Sequence, residues 1–357
     1  MTRTVGVEEE FLLVDRSTGE PRDVAGAVLR GTDDDGDADA ELTGELQREQ
    51  LETGTRPCRD LHDLHDELRR TRAQARDAAR ATGVELAPLA TSPLPVDPTV
   101  APSPRYERMI ETFGHTGAEQ LTCGCHVHVS VGSEKEGVAA LDGIRPWLAP
   151  LLALSANSPF WNGADTGYAS FRSQLWGRWP SAGPTGLFGT PGGYREVTDA
   201  MLSTGTILDE GMLYFDARLS RHHPTVEIRV ADVCREPADT VLIAALTRAL
   251  VETAVRGAGT APDPVRTEVL RLAAWRAGRS GTDAELLDPR TWKPAPAGSV
   301  VDALIEHVAE ALQDAGDLHS VRELADAVLH RGTGAARQRA VFARTGELRS
   351  VVADATM

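Results

Sequence analysis

Lysine is almost absent from this sequence of 357 residues: Lys135 and Lys293 stand among 37 basic residues, and arginine supplies the others. Neither lysine follows a glycine, so the Gly-x-x-x-x-Gly-Lys-Ser/Thr motif is missing and P-loop NTPases are excluded. Any phosphate contact must come mainly from arginine, backbone amides or a metal ion. The net charge of −16 also leaves no basic surplus, so we predict neither nucleic acid nor an anionic membrane as a partner.

Cysteine and uninterrupted apolar runs are scarce as well. Four cysteines are too few for a disulfide scaffold in a chain of 357 residues, which predicts a reducing, cytoplasmic location. The most apolar stretch, residues 144–161, is interrupted by Pro146, Pro150 and Pro159, so it does not predict a membrane span. The first residues lead into an apolar strand without a basic region before it, which predicts no signal peptide.

The most informative segment that is present, residues 123–131, reads Cys-Gly-Cys-His-Val-His-Val-Ser-Val. Successive side chains of a strand point to opposite faces, so His126, His128 and Ser130 lie on one face and the valines on the other. Two imidazoles on one face, backed by β-branched residues, favour a metal or phosphate site that faces a cavity. The alternative is an ordinary strand whose histidines only form hydrogen bonds with their neighbours.

Two further segments have the same design. Residues 4–14 place Glu8 and Glu10 on one face, and residues 224–230 place Glu227 and Arg229 on one face, with apolar residues behind each pair. Oxygen ligands favour Mg²⁺ or Mn²⁺, which proteins often share with substrate phosphates, and arginine binds phosphate or carboxylate through paired hydrogen bonds. The three segments together predict a cavity for a metal ion and a nucleotide on one sheet.

Two patterns resemble other metal sites but do not predict them. Cys123 and Cys125 lie beside the histidines, yet Cys125 faces away from them on a strand, and the Cys-x-x-Cys spacing of structural zinc sites is absent. The acidic run 33–39 resembles a calcium loop, but with Gly36 at the sixth position the twelfth falls on Leu42. We predict buried cysteines and a solvated acidic loop instead.

The pattern of apolar and turn residues predicts a single catalytic domain over residues 1–357. Its strand-rich part, residues 1–235, carries the active site and includes a strand at about 45–53 with Glu45 and Glu52. The last strands are predicted at 213–218 and 225–230. The helical part, residues 236–357, braces the site with helices at 240–256, 265–277, 300–315, 321–330 and 335–355. The segment 157–194 is rich in Gly, Pro, Trp and Phe, which favours a functional loop or lid.

Four ordered motifs give the sequence a resemblance to a known family. They are Gly-Val-Glu-Glu-Glu-Phe at 6–11, Cys-Gly-Cys-His-Val-His-Val at 123–129, Asn-Ser-Pro-Phe-Trp-Asn-Gly at 157–163 with Gly167, Tyr168 and Arg172, and Thr-Val-Glu-Ile-Arg at 225–229. With this combination the sequence, from about residue 5 to residue 351, resembles the glutamate–cysteine ligase type 2 family, the bacterial carboxylate–amine ligases. The resemblance implies an α+β fold with a curved, mostly antiparallel β-sheet and flanking helices, like the catalytic fold of glutamine synthetase.

The resemblance also implies an activity. A ligase of this kind uses ATP and Mg²⁺ or Mn²⁺ to convert a carboxylate, such as the γ-carboxylate of glutamate, into an acyl phosphate that an amine, such as that of cysteine, attacks. The implied metal ligands are Glu8, Glu10, Glu45, Glu52 and Glu227. The implied catalytic residues are His126 and Arg229; Arg229 also binds the γ-phosphate, and His128 supports His126 or binds the nucleotide. The implied substrate-binding residues are Asn157, Arg172, Tyr214 and Arg218.

Alternatives remain open at this point. A protein of this fold that binds a nucleotide or a metal without catalysis would carry the same motifs, although no expected acidic or arginine position is replaced. A zinc-dependent hydrolase would use His126, His128 and Glu227. Separately, Tyr214 has the alternative of being an ordinary core aromatic that does not bind substrate. Small-molecule carboxylate and amine substrates are the expected partners, and the sequence leaves monomer and homo-oligomer both open.

Overall fold

The computed structural model describes residues 2–32, 42–259 and 262–356, so the acidic loop predicted at 33–39 lies outside the described residues. The strands in the described part are β1 Val5–Asp15, β2 Leu42–Gly44, β3 Gln50–Gly54, β4 Val84–Ala87, β5 Gly124–Ser130, β6 Phe160–Trp161, β7 Ala164–Asp165, β8 Ala217–Leu219, β9 Thr225–Asp232, β10 Glu285–Asp288 and β11 Lys293–Pro296. The helices are α1 Ala25–Thr32, α2 Leu61–Ala81, α3 Pro104–Phe113, α4 His115–Ala118, α5 Glu134–Ile144, α6 Leu148–Ser155, α7 Arg172–Trp176, α8 Pro191–Ser203, α9 Pro237–Arg256, α10 Thr267–Ser280, α11 Ala297–His307, α12 Ala309–Ala315, α13 Leu318–Arg331, α14 Gly334–Thr345 and α15 Leu348–Ala355.

Seven of these strands form one sheet in the order β2-β3-β1-β5-β9-β8, with β4 paired to the carboxyl-terminal part of β1. Every strand pair in this sheet is antiparallel. β1 is central because its 11 residues pair with β3, β4 and β5. Helices pack around the sheet, so the predicted α+β fold with a mostly antiparallel sheet is confirmed.

One face of the sheet is apolar and covered by helices. Val7, Cys125, Val127 and Ile228 are at most 2% exposed and belong to one core cluster with apolar side chains of α5 and α9. Full burial of a valine or isoleucine side chain contributes about 1.5–3 kcal/mol to stability. This face therefore binds the helical layer to the sheet, and the opposite face is left for polar residues.

A charged pair lies within the apolar layer. Glu9 is fully buried, and Arg72 of α2 donates two hydrogen bonds to its carboxylate, at 2.8 Å and 2.6 Å. Thr240 of α9 donates a third at 2.7 Å. Arg72 also donates to the carbonyl oxygens of Cys234 and Arg235, each at 2.8 Å. The buried carboxylate and guanidinium thus satisfy each other and connect α2 and α9 to β1.

The strand predicted at 45–53 is wrong in its extent. β2 ends at Gly44 and β3 begins at Gln50, with a turn between them. In this turn the Glu49 carboxylate accepts hydrogen bonds from the backbone N–H of Thr99, at 3.0 Å and 3.1 Å. A side chain that bonds to a distant loop holds the chain in a bend, which local strand propensity does not reveal.

The helical part also differs in detail from the prediction. The regions predicted as single helices at 300–315 and 335–355 each contain two helices, and the second pair is separated at Gly346, whose φ of 70° favours glycine. The prediction that strands end at residue 230 was wrong, because β10 and β11 pair as a later hairpin. β11 contains two prolines, which argue against a central strand but are compatible with a short edge strand.

The segment 157–194 is more regular than the sequence suggests. It contains the β6–β7 hairpin, the short helix α7 and the start of α8. The hydroxyl groups of Ser158 and Ser170 donate hydrogen bonds to the buried Asp232 carboxylate, at 2.7 Å and 2.8 Å. These bonds fasten the segment to the end of β9, and its role as a lid stays a prediction.

One stretch, Glu134–Ser155, is long and apolar enough to cross a membrane by length and composition alone. It corresponds to α5 and α6, which are separated by a 3₁₀ turn at Arg145–Trp147. Of its apolar window, 83% is buried inside the protein. Core helices pass the same test, and the packing of α5 against α9 identifies these two as core helices.

Candidate active site

The polar face of the sheet carries a row of charged side chains because neighbouring strands align in register. The row pairs Glu10 with Glu52, Glu8 with His126, His128 with Glu227, and Glu227 with Arg218. Side chains directly opposite each other on one face of an antiparallel pair are close enough to interact. Residues from five strands, far apart in the sequence, therefore meet on one surface.

These side chains line a cavity of about 560 Å³. Three groups within it offer ligand atoms that all lie within 4.8 Å of one another: Glu8 with Glu52 and His126, Glu8 with His128 and Glu227, and Glu10 with Glu45 and Glu52. Carboxylate oxygens supply most of these atoms, and imidazole nitrogens supply the rest. The structure therefore brings together all five carboxylates predicted as metal ligands, with both histidines beside them.

At one end of the cavity, carboxylates crowd one another. Burial and the charge of Glu10 raise the pKa of Glu45 to about 7. Burial, together with the charges of Glu45, Glu8 and Glu10, raises the pKa of Glu52 well above its usual range. Glu10 Oε2 also accepts a hydrogen bond from the backbone N–H of Gly124 at 2.5 Å. Like charges held this close favour a bound cation, which would return both groups to the ionised form.

The two histidines lie on either side of Glu8. His126 Nδ1 is 3.5 Å from Glu8 Oε2, and His128 Nε2 is 3.2 Å from Glu8 Oε1. Burial and the charge of Arg229 lower the pKa of His126, which favours the neutral imidazole that metals bind. Burial alone would also lower the pKa of His128, but its contacts with Glu8 raise it. His126 Nε2 is buried and has no hydrogen-bond partner within the described residues, whereas His128 Nε2 faces the Glu8 carboxylate.

At the other end of the cavity, Glu227 lies between two arginines. Arg218 donates to its two carboxylate oxygens from Nε at 2.7 Å and from Nη2 at 3.2 Å, and Arg229 donates from Nη1. Burial opposes ionisation, but the two guanidinium groups lower the pKa of Glu227. Arg229 Nε is buried and has no hydrogen-bond partner in the part of the chain that the structure describes. Arg229 thus keeps hydrogen-bonding capacity for an anion.

A register shift in β9 lies at Arg229 and Val230. The shift lies between the pairs Cys125–Ala231 and Val127–Ile228, so β9 has one extra residue opposite His126. Such a bulge bends the strand and changes the alternation of faces beyond it. Asp232, which simple alternation would place on the apolar face, instead accepts hydrogen bonds from the serine hydroxyls of the 157–194 segment.

The predicted substrate-binding residues lie in different places. Tyr214 and Arg218 line the cavity, and Tyr214 packs against Trp176 and Trp179 with ring centroids 4.8 Å and 5.4 Å apart. Arg218 also donates to the carbonyl oxygens of Gly211 and Leu213, each at 3.2 Å. These bonds hold the chain that precedes β8 against the site.

Arg172 and Asn157 do not line this cavity. The guanidinium of Arg172 lies beside Gly124: a Cβ atom there would be 2.9 Å from Arg172 Cζ and 3.0 Å from His126 Nε2. Arg172 thus lies on the same side of β5 as His126 Nε2, next to the residues that line the cavity. The side chain of Asn157 is occupied elsewhere, since its Nδ2 donates to Pro88 and Val233 at 2.8 Å each and its Oδ1 accepts from Gln338 at 2.8 Å. The structure does not bring Asn157 to the cavity.

Several cavity-lining residues were not predicted from the sequence. They include Arg105, Tyr106, Trp176, Trp179, Arg195, His222 and His223. Arg105 is held in place by Asp209, whose carboxylate accepts two hydrogen bonds from it at 2.7 Å and 3.0 Å. The run Arg-His-His at 221–223, which Pro224 separates from β9, is a local signal that could have identified two of them. The others come from helices and loops with no distinguishing pattern.

The cysteines are separate from this site. Cys123 and Cys125 are free and buried, as predicted, and burial raises the pKa of both thiols well above the usual range. Across the described ranges no cysteine belongs to a candidate metal group. A zinc site that uses these thiols is therefore not supported.

Comparison with known proteins assigns the chain to a family. The family described as Glutamate-cysteine ligase family 2 matches residues 4–354. The chain belongs to this family. A relative from Streptomyces coelicolor, provisionally named glutamate–cysteine ligase 2, is 54% identical over 354 residues, covering 98% of this chain and 97% of its own length. A relative from Frankia alni, provisionally named glutamate–cysteine ligase 2-2, is 52% identical over 364 residues and covers 98% and 95%.

Solved structures share the fold at low sequence identity. A bifunctional glutathione synthetase from Pasteurella multocida has a TM-score of 0.69 at 16% identity, over 99% of this chain and 51% of that one. A glutamate–cysteine ligase from Francisella tularensis, in complex with AMP, has a TM-score of 0.65 at 15% identity, over 100% and 88%. Together with the family match, these findings identify an ATP-dependent ligase that forms an amide bond, in a family that uses a divalent metal.

Proposed function

We propose that this protein couples a carboxylate, such as the γ-carboxylate of glutamate, to an amine, such as that of cysteine, with ATP and Mg²⁺ or Mn²⁺. One observation carries the proposal: five carboxylates and two imidazoles converge in one cavity beside Arg229, whose buried Nε has no partner among the described residues. Converging acidic ligands next to a free arginine donor suit a metal-bound triphosphate. Neither the acidic ligands alone nor the arginine alone would indicate a metal-bound triphosphate.

The residues present fit a hard divalent cation. Their donor set is rich in oxygen, burial and neighbouring carboxylates raise the pKa values of Glu45 and Glu52, and His126 Nε2 is buried without a hydrogen-bond partner in the described part. The residues that would hold the metal are Glu8, Glu10, Glu45, Glu52, Glu227 and His126. When bound, the metal would neutralise the triphosphate and polarise the phosphorus that is attacked.

The reaction has two steps in this proposal. A carboxylate oxygen of the first substrate bonds to the γ-phosphorus of ATP, the bond from that phosphorus to the β,γ-bridging oxygen breaks, and ADP leaves. The amine nitrogen then bonds to the acyl carbon, the bond from that carbon to the phosphate oxygen breaks, and inorganic phosphate leaves as the nitrogen loses a proton. The products are an amide, ADP and phosphate.

The chain's own residues would orient the reactants and balance charge. Arg229 would donate from Nε to the transferred phosphoryl group, where negative charge accumulates in the transition state. His128, whose Nδ1 contacts Thr225 Oγ1 at 3.1 Å and whose Nε2 is 3.2 Å from Glu8 Oε1, would support His126 by fixing Glu8 or would bind the nucleotide phosphates. Arg218 would keep Glu227 ionised and fixed, and Tyr214 would contact the substrate from the aromatic wall.

The test is ADP release with Mg-ATP and glutamate, supplied with a panel of amines that includes cysteine. We expect ADP release that depends on both substrates, with an amide of the matching mass in the product. ADP release with a different carboxylate would keep the ligase and correct the substrate. ATP binding without ADP release, for any carboxylate and amine, would favour the non-catalytic binding protein and overturn the proposal.

A further inference from the structure

A second cavity of about 430 Å³ lies against the back of the site. Trp176 and Arg229 line both cavities, so these two side chains form a shared wall. The wall is held by stacking, since the guanidinium groups of Arg229 and Arg172 lie 5.5 Å and 5.6 Å from the ring centre of Trp176. None of the functions described so far uses the second cavity.

Positive groups with spare hydrogen-bonding capacity line this cavity. Arg145 and Arg172 are 5% and 2% exposed, yet Arg145 Nη1 and Arg172 Nε have no hydrogen-bond partner within the described residues. Arg145 is otherwise anchored, since it donates to the carbonyl oxygens of Thr185 and Val265 at 2.8 Å and 3.0 Å. Buried guanidinium donors without partners are costly, which favours an anionic ligand such as a carboxylate.

Among the described residues that line this cavity, Asp216 is the one carboxyl group beside these arginines. Its backbone is fixed on both sides, because its N–H donates to Gly183 at 3.0 Å and its carbonyl oxygen accepts from Arg229 at 2.9 Å. In the part of the chain that the structure describes, no hydrogen bond reaches its side chain, and burial raises its pKa to about 7. A nearby ammonium group would supply the missing partner.

The remaining lining is mostly apolar and includes Leu148, Leu152 and Leu270. At the mouth, Leu272 and Trp275 are 62% and 48% exposed, which is unusual for large apolar side chains. An apolar pocket with a few convergent polar groups is the usual form of a small-molecule site. The polar groups here are of both signs, so they match a zwitterion better than a simple anion.

We propose that the second cavity binds an α-amino acid substrate, with Asp216 facing its ammonium group and the arginines facing its α-carboxylate. The inference rests on the proposed ligase function and extends it, because it names the class of one substrate and the residues that select it. Two amino acids of the reaction could supply this chemistry: the one that is phosphorylated and the one that provides the amine.

The second cavity lies next to the first. A Cβ atom on Gly124 would be 2.9 Å from Cζ of Arg172, which lines the second cavity, and 3.0 Å from Nε2 of His126, which lines the first. An amino acid held by Arg172 would therefore lie beside this imidazole, next to the Trp176–Arg229 wall that the two cavities share.

The test compares steady-state KM values for matched compounds in full-length protein. For the carboxylate donor, glutamate is compared with glutarate, which lacks the ammonium group, and with 4-aminobutyrate, which lacks the α-carboxylate. For the amine, cysteine is compared with cysteamine, which lacks the carboxylate. Asp216→Asn is the variant, and Asp302→Asn, an exposed aspartate on α11, is its matched control.

We expect Asp216→Asn to raise the KM of one amino acid by about tenfold to a hundredfold, the effect of losing one charged hydrogen bond. KM for ATP and for glutarate should not change, and Asp302→Asn should behave as the wild type. A rise confined to glutamate assigns the cavity to the carboxylate donor, and a rise confined to cysteine assigns it to the amine. Unchanged KM values for both would overturn the inference.

Two measurements keep the test decisive. If Asp216→Asn does not fold, Arg271→Gln is used instead, because it alters an exposed arginine of the same cavity. It should raise the KM of the amino acid substrate and leave unchanged the KM of the analogue that lacks the α-carboxylate. Calorimetric titration of glutamate and cysteine into the protein without ATP measures binding directly. Binding that Asp216→Asn weakens would support the cavity even if no ADP were released, so the two proposals can fail separately.

Discussion

Two buried carboxylates of this sheet are both paired with arginine, but they differ in whether the arginine keeps an unused hydrogen-bond donor. Glu9, on the apolar face, and Arg72 share two hydrogen bonds, and Thr240 with the carbonyl groups near the start of α9 completes the set. Glu227, on the polar face, is bonded to Arg218 and Arg229, yet Arg229 Nε has no partner among the described residues. We call the first pair closed, because its hydrogen bonds are formed within the protein, and the second open, because Arg229 keeps a donor for a ligand.

The difference shows that burial and charge alone do not mark a functional site. Both arrangements are almost completely buried, and a buried salt bridge by itself is weak evidence for either stability or function. The polar face differs in its unused hydrogen-bonding capacity beside a cavity: crowded carboxylates, and a His126 nitrogen and an Arg229 donor that have no partner among the described residues. Substitutions on the polar face should therefore reduce activity, whereas substitutions in the Glu9–Arg72 pair should reduce stability.

Glu10→Gln should reduce the rate of ADP release about a thousandfold, because it removes one carboxylate from the cluster that would bind the metal. Stability should stay the same or rise, since one of several repelling charges is gone and glutamine can still accept from Gly124. Steady-state ADP release and thermal unfolding measure the two effects. The matched control is Glu111→Gln on the exposed side of α3, and activity within tenfold of the wild type in Glu10→Gln would contradict the assignment.

Arg72→Met should have the opposite profile. It leaves Glu9 buried without its main partner and should lower the free energy of unfolding by about 3–5 kcal/mol. The protein that remains folded should keep its kcat, because neither residue lines the cavity. Urea unfolding gives the stability, and the double variant Glu9→Gln with Arg72→Met should recover part of it. A loss below about 1 kcal/mol would show that the pair is not closed as described.

Arg229→Lys should lower kcat about a hundredfold and change stability little. Lysine keeps the charge beside Glu227 but cannot offer a second donor in the fixed plane of the guanidinium. The loss should appear in kcat more than in the KM for ATP, since the phosphoryl group gains charge in the transition state. Arg322→Lys on α13, at an exposed position, is the control. Equal kcat in both variants would remove Arg229 from the phosphate-binding role.

The smallest effect is a pH dependence of stability. The pKa of Glu45 is raised from 4.5 to about 7, so the folded protein favours its protonated form. The resulting stabilisation is complete below pH 4.5 and is lost as the pH rises through about 7. In EDTA, Glu45→Gln should therefore gain stability relative to the wild type between pH 5 and pH 7.5, and Mg²⁺ should cancel the gain. Thermal unfolding with and without Mg²⁺ measures it, and a constant difference across this pH range would contradict it.

Much of the site could be predicted because the motifs lie within strands. Glu8 with Glu10, His126 with His128, and Glu227 with Arg229 share faces through the two-residue period of a strand, and the structure has them on one surface. The strand at 45–53 and the number of later strands were predicted less well. In both cases a contact with a distant segment, or an edge position that tolerates proline, outweighed local propensity.

Other parts could not be read from the sequence. Asn157 lies within a family-like motif, but its amide is occupied by Pro88, Val233 and Gln338, none of which is near it in sequence. Asp216 lies between two residues predicted to bind substrate, yet nothing local indicates that it faces a second cavity. Such properties depend on which segments are neighbours in space.

The sequence by itself determined which residues share a face within the regular part of each strand, the excess of carboxylates over cations and the predominance of arginine among the basic residues. These follow from backbone geometry and composition, which are local. Only the tertiary structure decided which strands are adjacent, where β9 shifts register and which buried polar atoms have no partner. These properties depend on contacts between residues far apart in the chain. An unsatisfied hydrogen-bonding group can be recognised only when the positions of its possible partners are known.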